Sequence, residues 1–146
     1  MDTESILREI RFTSVKKCFR SVLDAVGERI AKGSIEVGDT SVDIVTVPAN
    51  SIVTDVFYRN TTNWNGSPTI KFGDAADDDG FFTSASASGS AMQFTSGSSR
   101  GAYLWNSSGS TANRKFYPEE TDLTATITSG STTGAADIFV KFFELP

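Results

Sequence analysis

Apolar residues recur along this chain with two different periods, and the change of period divides it. Val15, Cys18, Phe19, Val22, Val26 and Ile30 fall three and four residues apart, the spacing that places side chains on one helical face. Arg20, Asp24 and Glu28 fall one turn apart on another face. Thr13 or Ser14 is a suitable N-cap and Gly33 a suitable C-terminal stop. The spacing predicts a helix over 15–32, weakened at Gly27 by about 1 kcal/mol relative to Ala. Residues 4–12 fit either a short strand, through Ile6, Arg8, Ile10 and Phe12, or a helical turn, through Ile6, Leu7 and Ile10.

Beyond residue 33 the period falls to two and turn residues punctuate the chain. Strands are expected at 35–37, 42–47, 51–59, 68–73, 80–83, 91–95, 102–105, 122–128 and 136–144. Leu123, Ala125 and Ile127 alternate with threonines, as in a strand with one wet face. Ile138, Val140 and Phe142 oppose Phe139, Lys141 and Phe143, so that strand has a second face to bury, in the fold or in an oligomer. Residues 84–110 are dense in Ser, Gly and Ala but are interrupted by Met92, Phe94, Tyr103, Leu104 and Trp105. A flexible linker lacks such anchors, so long loops pinned by apolar residues are expected. The fold class is mainly β, an antiparallel β-sandwich resembling a jelly roll, with an N-terminal α-helix. The chain divides into an arm at 1–33 and a sandwich at 34–146.

Composition narrows the chemistry. The 146 residues contain no His, which removes the commonest general base and metal ligand. Cys18 is the one cysteine, so neither an internal disulfide nor a cysteine zinc site forms; a buried, inert thiol is expected. A net charge of -5 argues against nucleic acid as main partner. The start Met1-Asp-Thr-Glu-Ser does not read as a signal peptide, and no apolar run approaches the ~20 residues of a membrane span. Synthesis in a cytoplasm is expected, with no membrane partner and no cofactor.

Three constellations invite a chemical reading. Asp74-Ala-Ala-Asp-Asp-Asp-Gly80 is the densest acid run; Asp74, Asp77 and Asp79 are calcium candidates. The Asp-x-Asp-x-Asp-Gly pattern needs an acid where Ala75 stands, and a solvated turn explains the run equally well. Glu119 and Glu120 are adjacent, so on a strand they point apart and do not form an acid–base pair. Trp64, Tyr103, Trp105 and Tyr117 fall in or near loops. They either close the ends of the sandwich or contact a protein or glycan. Lys16, Lys17 and Arg20, with Arg8 and Arg11 upstream, form a small basic patch.

One stretch carries a resemblance. A strand ends at Pro48-Ala49. A second climbs to Thr61-Thr62, Trp64 and Asn65-Gly66. A third ends in Phe72-Gly73-Asp74. This pattern resembles small β-sandwich virion proteins of tailed bacteriophages, over roughly Thr46 to Leu145. The resemblance implies a non-enzymatic virion protein. The expected role is a capsid decoration or cement protein on the outer head surface, a homotrimer with the major capsid protein or other virion proteins as partner. Val15, Phe19, Val22, Val26, Phe139 and Phe143 are the expected contact residues. The alternative is a head-fibre, neck or tail accessory protein that binds host glycan through Trp64, Tyr103 and Trp105.

Overall fold

The computed structural model describes residues 27–86, 92–94, 100–104, 114–128 and 130–146. These form nine strands: β1 (Glu28–Glu36), β2 (Ser41–Val47), β3 (Ser51–Thr62), β4 (Thr69–Asp74), β5 (Asp77–Ser86), β6 (Met92–Phe94), β7 (Lys115–Tyr117), β8 (Thr121–Thr128) and β9 (Ala135–Glu144). Two antiparallel sheets result. Sheet A has the order β1-β9-β3-β6, with β7 also paired to β3; sheet B has the order β2-β8-β4-β5. The pairs are nested: β4 with β5, β3 with β6 and β7, β2 with β8, and β1 with β9. Among the described residues no helix is long and apolar enough to cross a membrane.

Period-two patterning explains why both sheets bury one face. In β9, Ala136, Ile138, Val140 and Phe142 are buried, and in β8 Leu123, Ala125 and Ile127 are. The inward residues of both sheets form one core. Tyr58 of sheet A meets Phe82 of sheet B edge-on, with ring centroids 5.9 Å apart, and Phe72 lies against both Phe81 and Phe82. These rings are fully buried, each contributing about 1.5–3 kcal/mol through burial. The turn after β2 places Asn50 at φ 58°, a left-handed conformation that Asn tolerates better than most residues. Its carbonyl accepts from the Leu145 amide at 2.8 Å, tying the turn to the chain's C-terminal end.

The expected helix fails at its C-terminal end. Glu28–Lys32 belong to β1, paired with β9 from Glu28 opposite Phe143 to Glu36 opposite Ala135. Gly33 caps nothing; it lies mid-strand. A Cβ there would stand 2.3 Å from the Ile44 carbonyl oxygen of β2, so this glycine permits the close approach of β1 and β2. Ile30, expected on the helix stripe, is 57% exposed on the outer face of sheet A. The rest of the expected helix, with Val15, Phe19, Val22 and Val26, lies outside the described residues, as does Trp105. Ala102–Leu104, expected as a strand, form a turn, while β7 was not anticipated.

Candidate functional site

Two regions gather the side chains that sequence singled out: the turn between β4 and β5, and the outward face of sheet A.

At the turn, Asp74 ends β4 with its carboxylate directed inward. Oδ1 accepts from the backbone N–H groups of Ala76 (2.9 Å) and Asp77 (3.0 Å) and from the Tyr103 hydroxyl (3.0 Å). Oδ2 accepts from the Tyr117 hydroxyl at 2.7 Å, with the Lys115 ammonium 3.8 Å away. Burial pushes the Asp74 carboxyl up, but the bonds from Tyr117, Tyr103 and the two amides outweigh it and hold it below the ordinary carboxylate range. Burial and the same carboxylate push both tyrosine hydroxyls well above their ordinary value. The Lys115 ammonium lies 4.0 Å from the Tyr103 ring centroid, within cation–π range. Tyr103 also meets Phe81 edge-on at 5.2 Å, and its amide donates to the Gly80 carbonyl.

The calcium grouping expected from sequence therefore separates. Asp74 is committed to the tyrosines, whereas Asp77, Asp78 and Asp79 bring carboxylate oxygens within 4.8 Å of one another. These three are the described residues able to offer hard oxygen ligands together, and the Lys71 ammonium already lies 3.4 Å from Asp78. Partial burial, a hydrogen bond with Asp77 and the Asp77 charge raise the Asp79 carboxyl.

Trp64, expected either to close an end of the sandwich or to make a loop contact, is 7% exposed and belongs to the core. Its indole N–H donates to Asn60 Oδ1 at 3.1 Å, and the ring packs over Gly134, where a Cβ would stand 2.1 Å from it. The neighbouring Asn65 receives the amides of Thr132 and Thr133 on Oδ1, both at 2.8 Å. Trp64 and Asn65 thus fasten the loop after β3 to the loop before β9. Tyr103, open to the same two readings, is half-buried against the core and bonded to Asp74.

The outward face of sheet A is different. Strand register sets Phe116, Ile52 and Phe143 in one cross-strand row, ending at Glu28 of β1. Phe116 is 47% exposed. Farther along, Phe57 and Phe139 stack with centroids 5.0 Å apart and planes 11° from parallel. The Arg59 guanidinium lies 5.9 Å from the Phe139 ring and 2.9 Å from Asp137. Asp137 also accepts from Ser34 at 2.8 Å and faces Lys32 at 3.4 Å. The Ser34 bond holds its carboxyl low against burial, aided by Arg59 and Lys32. Between the aromatic rows lie the pairs Lys141–Glu28 (3.1 Å) and Arg100–Asp55 (3.5 Å). Phe139 and Phe143, expected as contact residues, are thus placed on one face with Ile30, together with Phe116 and Ile52, which sequence did not single out as contacts. A face of half-buried aromatics among ion pairs suits contact with another macromolecular surface.

No protein-family model matches the chain, and no curated protein matches it. Solved structures do. Over 80% of this chain and 86% of the other, the fold is similar to a chain in the acidic stable capsid structure of Helicobacter pylori bacteriophage KHP30, with TM-score 0.53 and 12% identity. Over 84% and 87%, it is similar to a chain in the capsid asymmetric unit of cyanophage Pam1, with TM-score 0.57 and 18% identity. At these identities the likeness is one of fold, and the two-sheet architecture described above is shared with chains found in phage capsids.

Proposed function

We propose that this chain is a non-enzymatic structural protein of a tailed-phage virion, and within the virion a capsid decoration or cement protein. Its place is the outer head surface, bound as a trimer to the major capsid protein. The observation that carries this reading is the aromatic outward face of sheet A, on a fold shared with chains of phage capsids. The nested strand pairing is that of a jelly roll, an architecture frequent in capsid domains. The side that meets the shell comprises this face and the N-terminal residues before β1. A protein of this kind bridges neighbouring capsid subunits and adds buried area at their joints. Standard-size contacts of about 1,600 Å² repeated around the shell suffice.

Reconstitution tests the reading. Capsids lacking this chain, mixed with purified protein, should bind it to saturation at a fixed ratio to the capsid subunit. Phe139→Glu places a charge on the contact face and should reduce occupancy at least tenfold, while the free protein still unfolds cooperatively. Absence of saturable binding by the unaltered protein would contradict the role.

A further inference from the structure

We infer that Asn65 is a site of spontaneous deamidation, held in check by the clasp it makes with the loop before β9. Asn65 alone among the asparagines is followed by glycine. The attacking group in this reaction is the backbone nitrogen of the next residue, which no Cβ shields when that residue is glycine. Gly66 lies at φ 90°, and Asn65 and Gly66 are both exposed, so water reaches them. Asn60, by contrast, is buried beneath Trp64 and followed by Thr61 within β3.

The folded chain restrains the other reactant, the side-chain amide. Asn65 Oδ1 accepts from the amides of Thr132 and Thr133, both at 2.8 Å. Nδ2 donates to Thr132 Oγ1 at 2.8 Å. In the main chain, the Asn65 carbonyl accepts from the Ser131 hydroxyl, and its amide donates to the Thr133 carbonyl at 3.3 Å. Every polar atom of Asn65 is thus bonded across the clasp. Ring closure would draw Cγ onto the main chain at Gly66 and take Oδ1 and Nδ2 off the 131–133 loop. A reaction that needs the clasp open proceeds in proportion to the open population.

The chemistry needs only water. The Gly66 nitrogen loses its proton and bonds to Asn65 Cγ; the Cγ–Nδ2 bond breaks, and Nδ2 takes up a proton and leaves as ammonia. Water then opens the cyclic imide. Cleavage between Cγ and the Gly66 nitrogen gives aspartate, and cleavage at the main-chain carbonyl gives isoaspartate. Both products lack the donor that Nδ2 supplies to Thr132, and isoaspartate also lengthens the main chain by one carbon. Neither re-forms the same clasp. This inference does not rest on the virion reading, because it concerns the free protein.

The test incubates the full chain at mildly alkaline pH, folded and in urea, and maps peptides that separate asparagine, aspartate and isoaspartate. In urea, Asn65 should convert ahead of every other asparagine. The folded chain should convert there at least tenfold more slowly. Ser131→Ala with Thr132→Ala removes both hydroxyls from the clasp. In that folded variant, hydrogen exchange at the amides of residues 132 and 133 and conversion at Asn65 should rise together, by at least threefold, while the Ile138 amide of β9 stays protected. Conversion as fast in the folded chain as in urea overturns the inference, as does conversion that begins at another asparagine. A variant whose exchange rises without its conversion overturns the gating, and a variant in which neither rises shows that the clasp is not what restrains Asn65.

Discussion

Asp74 is the residue on which the β4–β5 turn depends. Five groups converge on its buried carboxylate: two amides, two phenol hydroxyls and the Lys115 ammonium. Asp74→Ala leaves both hydroxyls and the ammonium without their acceptor. Losing one partner of a buried charged network costs about 3–5 kcal/mol, and that loss is expected in urea unfolding. Tyr117→Phe removes one charge-assisted bond and should cost about 1.5–3 kcal/mol; a loss indistinguishable from zero would mean that the carboxylate is not the organising group. Asp74 and Asp137 both lie below the ordinary carboxylate range when folded. The unfolded chain therefore takes up protons first as pH falls. Their stabilisation is present above the unfolded value, and is lost as pH falls through the folded one. With no His in the chain, stability should be nearly level from about pH 8 to 5 and fall below about pH 4. Asp79, raised by partial burial and Asp77, acts in the opposite sense. A urea-midpoint series against pH checks the slope, and Asp137→Asn should flatten its acid limb.

At the scale of elements, β1 shows where periodicity misleads. Its inward positions are Ala31, Gly33 and Ile35, so only one large apolar residue marks the buried face. Ile30 meanwhile continues the three-and-four spacing from Val26, which extends a helical pattern into a strand. Gly33→Ala separates the two readings. Its Cβ would meet Ile44 backbone and side chain at 2.3 and 2.4 Å, and overpacking of this kind costs about 1–3 kcal/mol. Gly130→Ala, with nothing within 4 Å of the new Cβ, should change stability by less than about 0.5 kcal/mol. Equal effects at the two glycines would contradict the close approach of β1 and β2. β8 and β9 were legible because each repeats its period for several residues. β7, three residues before Pro118, was too short to show one. The Asp74 network was hidden for another reason: its tyrosines stand 29 and 43 residues away. For Trp64 the sequence left an end-closing and a contact reading open, because Gly134, which makes room for its ring, lies far along the chain.

At the scale of the molecule, a nested two-sheet fold carries one aromatic face. Sequence alone pointed to Phe139 and Phe143, because β9 carries aromatics on both sides; the third dimension added Phe116 and Ile52 through strand register. A decoration protein repeats with the symmetry of the shell, so copy number tests the central claim most directly. The measurement is quantitative protein composition of purified virions, as the molar ratio of this chain to the major capsid protein. Decoration of the whole shell predicts a ratio between about one third and one. A ratio of a few per cent, on the order of a dozen copies per particle, would contradict the account and place the protein at a unique vertex or on the tail.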